Sequence, residues 1–162
     1  MALDPRHLSL EKLVPPAPLP HVSRKSLARV TDPLPVPTTC HCCGNPVRLI
    51  NNKLIYGTEY GEWPYAYRCT GCAAYVGLHP NTDIPLGTLA DAPLRAARKR
   101  SKEAFVKATR LLHIKERKRS YQWLANAMNI PKSECHFAWF DLDLCRRAER
   151  VCTEVVKQKG PL

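Results

Sequence analysis

Residues 38–50 read TTCHCCGNPVRLI and residues 67–77 read YRCTGCAAYVG. Each stretch holds a C-x-x-C pair closed by a small residue: Cys40 and Cys43 before Gly44, Cys69 and Cys72 before Ala73. In such a knuckle two thiolates reach one ion while backbone N–H groups of the turn donate to the sulfurs. A glycine after the second cysteine lets the turn close. The 25 residues between the pairs suit a β-hairpin, which is the zinc-ribbon arrangement. The spacing therefore predicts one structural Zn2+ held by Cys40, Cys43, Cys69 and Cys72, with no open coordination position for water.

The first knuckle offers two donors too many. Cys40-x-Cys42 leaves too short a turn, and adjacent Cys42 and Cys43 would point their side chains apart. A ribbon without Cys42 is already complete. Cys42 is thus expected to be a small packed side chain, with a redox-sensitive thiol or a spare ligand as the alternatives. His41 is expected to be an exposed knuckle residue outside the coordination sphere.

The 162 residues suit one ordinary domain or two small ones, and a 44% hydrophobic fraction supplies modest cores. The 25 Lys and Arg against 14 Asp and Glu give a net charge of +11, which calls for an anionic partner, nucleic acid before membrane. The first 20 residues, MALDPRHLSLEKLVPPAPLP, have no apolar core of a signal peptide and carry Asp4 and Glu11. No apolar run approaches the ~20 residues that cross a bilayer as a helix. The expectation is a soluble intracellular protein with reduced thiols, and there paired cysteines favour metal over disulfide.

Proline and charge divide the chain into three. Residues 1–38 hold eight of the 15 prolines and should form a disordered, extended, unpacked leader. Residues 39–89 are neutral, with Arg48, Lys53 and Arg68 balanced by Glu59, Glu62 and Asp83. They contain the β-like runs PVRLI, KLIYG, YAYRC and AAYVGLH, with Asn51-Asn52 placed as a hairpin turn between the first two. Residues 90–162 carry 17 basic and eight acidic side chains, a net +9.

Three helices are legible in this last part. The first starts at Asp91 and Pro93 and puts Leu94, Ala97, Phe105, Ala108 and Leu112 near one face. The second runs through RKRSYQWLANAMNI to Pro131 with Tyr121, Leu124, Ala125 and Met128 aligned. The third begins near Asp141, with Leu144, Ala148, Val151, Cys152 and Val155 as its stripe and Gly160-Pro161 as its stop. Arg95, Arg98, Lys99, Lys102, Arg117, Lys118 and Arg119 are the candidate phosphate contacts, although a solvated face is the plain alternative. Tyr60 and Trp63 could stack on bases if exposed. YQWLANAMNIPKSECHFA invites a helix-turn-helix comparison that Pro131 and the aromatic HFAWF weaken. Trp139 and Phe140 read as core. Cys135, His136, Cys145 and Cys152 have poor spacing for a second metal and read as packed side chains. His79, Asn81 and Asp83 in GLHPNTD are the only candidates for a nuclease-type site, and turn formation explains them as well.

The blocks CHCCGNPVRL, YRCTGCAAYVGLHPNTDIPLGTLAD, YQWLANAMNI and ECHFAWFDLDLCRRA together resemble a bacterial and bacteriophage family of zinc-finger-containing domains of unknown function. The resemblance spans roughly residues 39–155. It implies the same four cysteine ligands and marks His79, Asp83, His136, Asp141 and Cys145 as motif positions without roles. Cys42 and the leader depart from the family pattern, which has a proline or another non-thiol residue inside its first knuckle. The setting it implies is phage or prophage, hence the cytoplasm of a bacterial host.

The sequence thus predicts an α+β protein: a Pro-rich leader (1–38), a zinc ribbon with an ordered loop (39–89), and a basic three-helix segment (90–162) packed on the ribbon as one unit. The expected function is a zinc-binding, nucleic-acid-binding accessory or regulatory protein, with DNA favoured over RNA. The alternatives are an adaptor for a host transcription or defence protein and, third, a metal-dependent nuclease. Binding is favoured over catalysis, and no membrane or small-molecule substrate is expected.

Overall fold

Side-chain alternation in VRLIN and YAYRC sets the register of the only sheet among the described residues. The computed structural model describes residues 2–160. It divides into two compact units, Met1–Asp91 and Ala92–Leu162.

In the first unit, strands β1 (Val47–Asn51), β2 (Tyr65–Cys69) and β3 (Tyr75–Gly77) form an antiparallel sheet in the order β1-β2-β3. Val47 stands opposite Cys69 and Leu49 opposite Tyr67, so period-2 alternation sends these side chains to one face. There they join Cys40, Ala74, Val76, Leu78 and Leu89 in the core.

The hairpin differs from expectation. KLIYG is not a strand but a helical turn, α2 (Lys53–Tyr56), and β1 pairs with YAYRC instead. The Asn pair explains the switch. Asn51 stays in β1, and its Oδ1 accepts the Lys53 N–H at 3.0 Å. The Asn52 carbonyl accepts from Ile55 and Tyr56, and Gly57, with φ 85°, ends the turn.

The leader is not an unpacked arm. Proline does keep it largely extended, but three apolar residues anchor it. Leu19 lies in the sheet core, while Leu27 and Val30 bury against Ile84. Leu27 is fully buried, which contributes about 1.5–3 kcal/mol. It sits at the end of a short helix, α1 (Arg24–Leu27), capped by Ser23 Oγ. Arg6 makes a two-armed ion pair with Asp83, at 2.9 and 2.7 Å. Composition pointed to disorder; a few well-placed side chains overrule it.

The second unit is helical: α3 (Ala92–Leu111), α4 (Arg117–Met128) and α5 (Leu142–Lys159). The predicted apolar faces are the buried ones, with Leu94, Ala97, Phe105 and Ala108 from α3 and Leu124, Ala125 and Met128 from α4. Where α3 packs against α5, both helices present small residues that are almost fully buried: Ser101, Ala108, Cys145, Ala148 and Cys152. Asp141 Oδ1 caps α5 by accepting the Leu144 N–H at 2.8 Å. Gly160 follows the last helical residue, and Pro161 lies outside the described residues.

The helix-turn-helix comparison fails. Asn129 does take the left-handed conformation at φ 54°, but no helix follows the turn. Two single-turn 3-10 segments, Lys132–Glu134 and Phe137–Trp139, lead instead to α5. Phe137 and Phe140 are drawn into an aromatic cluster with Phe105 and Tyr121, so the segment packs inward where a reading helix would face a groove. Trp139 is only half-buried and packs against His136 with tilted rings, 4.2 Å between centroids.

Candidate metal centre

Both knuckles are built the same way. The Cys40 N–H donates to the Asn45 carbonyl and the Cys69 N–H to the Ala74 carbonyl, each at 2.8 Å, so each turn closes over six residues. Gly44 with φ 78° and Ala73 with φ 61° supply the left-handed bend. The glycine is unstrained there; the alanine takes a conformation that L-residues disfavour. Inside each turn a backbone N–H points at the first sulfur: Cys42 N–H to Cys40 Sγ at 3.4 Å, and Gly71 N–H to Cys69 Sγ at 3.3 Å. The pairing of Val47 with Cys69 then brings the knuckles together at one end of the sheet.

The four sulfurs converge. Cys40 Sγ lies 3.7 Å from Cys72 Sγ and Cys43 Sγ 3.3 Å from Cys69 Sγ, and all four lie within 4.8 Å of one another. A tetrahedron with metal–sulfur bonds of about 2.3 Å has edges of about 3.8 Å, so the donor set fits a tetrahedral ion. The thiols are electrostatically incomplete by themselves. Hydrogen bonds from Asn45, with a further one from Cys69, pull Cys43 down to about 6. At Cys72 the Ala74 N–H lowers the thiol, but desolvation and its three sulfur neighbours prevail and hold it up at about 12. Four mutually close thiolates require a cation, and a divalent ion at their centre supplies it. The cluster can hold a metal ion.

Two supporting residues escaped the sequence reading. Asn45 Nδ2 donates to Cys43 Sγ at 3.2 Å. Gly71 makes room for it, because a Cβ at position 71 would stand 2.2 Å from that same nitrogen. The clue lay in CGN and CTGC, where an amide side chain and a glycine occupy the two knuckles.

His41 stays out of the cluster; its Nε2 pairs with the Leu89 carbonyl oxygen at 2.8 Å, tying the first knuckle to the end of the domain loop. Cys42 is exposed and not packed, against expectation, because the turn that aims its N–H at Cys40 turns its own side chain outward. Among the described residues no other His, Cys, Asp and Glu side chains gather in a group able to hold an ion. Cys135, Cys145 and Cys152 are buried in the helical unit, and desolvation raises all three, Cys135 to about 11 and Cys152 to about 12. In GLHPNTD the acidic candidate is committed elsewhere: Asp83 holds Arg6, and its carbonyl accepts the Tyr67 hydroxyl. The His79 backbone makes the turn, and burial lowers its imidazole below the ordinary value.

The proposed phosphate contacts divide. Lys99 and Lys102 are exposed on the outward side of α3, joined by Lys107 and Arg110 along a shallow groove of about 440 Å3. Glu103 and Val106 complete the lining. Arg95 is half-buried. Arg98 faces the core edge, and its Nε–H donates to the Phe140 carbonyl at 3.0 Å, so it serves packing. In the first turn of α4, Arg117 lies over the Tyr121 ring at 5.3 Å, and Lys118 and Arg119 are exposed. Only a long 3.9 Å contact links Arg119 to Glu116. Of the two aromatics, Tyr60 is 74% exposed, whereas Trp63 is half-buried against the core and donates its indole N–H to the Thr82 carbonyl. Among the described residues no helix is long and apolar enough to cross a membrane.

A family model described as a zinc-finger-containing domain matches residues 36–155. No curated protein and no solved structure matches the chain.

Proposed function

The chain belongs to the family of zinc-finger-containing domains, and from that premise we propose that it is a zinc-stapled, nucleic-acid-binding accessory or regulatory protein. The ion is Zn2+, bound by Cys40, Cys43, Cys69 and Cys72. An all-thiolate tetrahedral set suits this metal, and as a closed site it stabilises the fold without activating water. DNA fits better than RNA, given the phage or prophage setting that the sequence blocks resemble.

The observation that carries the reading is the cationic groove on α3, where Lys99, Lys102, Lys107 and Arg110 follow one another. A second feature supports it. Arg117, Lys118 and Arg119 occupy the first turn of α4, which contains no acidic residue. Cations there oppose the helix dipole, at a cost of about 0.3–1 kcal/mol each, and a bound phosphate would reverse the sign. These cations would track the backbone, a contact that carries affinity but not sequence information.

The test is a binding titration of the zinc-loaded protein with a labelled DNA duplex over a salt series. Neutralising six or more phosphates should weaken binding by about a thousandfold between 50 and 200 mM salt. Lys99→Glu with Lys102→Glu should reduce both the affinity and the slope. Absence of binding at low salt overturns the reading and leaves an acidic protein surface as the partner class.

A further inference from the structure

The face of the sheet turned away from the core carries an unusual row. Arg48 on β1 stands directly opposite Arg68 on β2, and Arg68 stands opposite Tyr75 on β3. Directly paired residues share a face, so two guanidinium groups and a phenol lie side by side across the three strands. Like charges in this position destabilise a sheet, whose cross-strand pairs are otherwise a source of its stability. Among the described residues, no carboxylate lies within ion-pair distance of Arg48 or Arg68.

The row continues into aromatic rings. Tyr75 meets Tyr56 edge-on at 6.0 Å between centroids, and Tyr56 meets Tyr60 at 5.8 Å. Tyr56 is 51% exposed and Tyr60 74%. The α2 turn supplies Tyr56 and also fixes the guanidinium, since Arg68 Nη1 donates to the Leu54 carbonyl at 3.2 Å. A groove of about 370 Å3 runs beside the row, lined by Arg48, Ile50, Leu54, Arg68 and the second knuckle. Arg48, Lys53 and Arg68 are the only cations between residues 39 and 91. Two of them face each other here, and the third opens the α2 turn. The nearby Glu59 is held by Asn51, whose side chain alternates to the opposite face.

We propose that this sheet face, Arg48–Arg68–Tyr75–Tyr56–Tyr60, is a binding site for single-stranded nucleic acid. The paired arginines clamp a backbone phosphate, and the exposed tyrosines stack on the adjoining bases. The chemistry is complementary on both counts. A phosphate converts the repulsive arginine pair into a bridged one, and bases offer flat faces to the exposed ring surface of Tyr56 and Tyr60. A duplex keeps its bases stacked inside and offers only half of this match. The inference rests on the nucleic-acid reading above and adds to it a second surface, carried by the other unit.

The test uses the full-length, zinc-loaded chain and a labelled oligo-dT strand, read by fluorescence anisotropy over a salt series. Tyr56→Ala with Tyr60→Ala should weaken strand binding at least tenfold. Arg48→Ser with Arg68→Ser should lower the salt slope by about 0.7, the share of the one phosphate that the pair clamps. Both pairs should leave zinc content intact, since the side chains are largely at the surface. A strand carrying 5-iodouracil should crosslink to the peptide holding Tyr56 and Tyr60. If the strand binds but neither pair changes it, and crosslinks fall only on α3 and α4, this inference is overturned while the nucleic-acid function stands. If the face variants lose binding while Lys99→Glu/Lys102→Glu does not, the face is confirmed and the helical groove is not the site. If no strand binds even at low salt, this inference is overturned, and the duplex titration alone decides the nucleic-acid function.

Discussion

The two units of the chain solve the problem of small size in different ways. Residues 92–162 bury a conventional core, in which helix periodicity lines up Phe105, Leu124 and a seam of small residues and the segment before α5 adds Phe140. Residues 1–91 have three short strands, brief helical turns and long connections. Their core cluster includes two of the four clustered cysteines, Cys40 and Cys69. A unit with so little regular structure leans on point attachments: the thiol cluster, the Arg6–Asp83 pair and the buried Leu27. Charge divides in the same way. The helical unit carries 17 basic against seven acidic side chains, and the other unit eight against seven. One unit stands by burial and offers a broad positive field; the other stands by attachments and offers specific side chains.

The largest effect expected from this contrast concerns the metal. Apparent binding free energies of structural zinc sites are about 10–16 kcal/mol at neutral pH, far more than a unit of this size can spare. Purified protein should contain one equivalent of zinc by elemental analysis. A strong chelator, or Cys69→Ser, should abolish the dispersed amide signals of residues 39–91 while leaving the helical circular dichroism of α3, α4 and α5 largely in place. Simultaneous loss of both would break the contrast and show that the helices also depend on the ion.

An intermediate effect concerns the leader. Arg6→Ala strands Asp83, whose side chain is only 9% exposed. An unpaired buried carboxylate costs about 1–3 kcal/mol or more. The cost should appear locally, as faster hydrogen exchange at Ser23, Leu27 and Ala28, with zinc retained. The same guanidinium holds Asp4 below its ordinary value, mainly through a hydrogen bond. A depressed carboxyl stabilises the fold fully above the unfolded value of 3.8 and loses that contribution as the pH falls through the folded value. The variant should therefore show a weaker acid dependence below pH 4. Unchanged exchange would mean that Leu19, Leu27 and Val30 suffice to hold the leader.

What the sequence made legible follows from range. The two C-x-x-C knuckles and the three long helices are local patterns, readable within a few residues, and the structure contains them, although Leu112 falls beyond α3 and the fully buried positions of α5 are Cys145, Ala148 and Cys152. Asn51-Asn52 misled because asparagine supports two local alternatives, a hairpin turn and a side-chain-assisted helical start; pairing with YAYRC, 14 or more residues away, decided between them. The leader misled for a related reason. Its prolines dominate the composition, whereas its partner Asp83 lies 77 residues from Arg6, beyond any local pattern.

Arg98 shows the same limit on a finer scale and gives the smallest expected effect. Charge clustering placed it with Lys99 among phosphate contacts, yet it falls four residues after buried Leu94 and three before buried Ser101, which sets it on the inward edge of α3. Arg98→Met keeps the aliphatic stem and removes the donor to the Phe140 carbonyl. The expected loss is about 1 kcal/mol of stability in the helical unit, or a drop of roughly 4–8 °C in its melting temperature. Lys99→Met should do the opposite: stability within about 0.5 kcal/mol of the parent and a salt slope for duplex binding reduced by about 0.9. Neighbouring cations on one helix would then separate cleanly, one serving the core and the other the partner. If Arg98→Met instead lowers the slope as much as Lys99→Met while leaving stability untouched, the guanidinium leaves Phe140 for phosphate when nucleic acid binds, and the inward edge of α3 belongs to the interface.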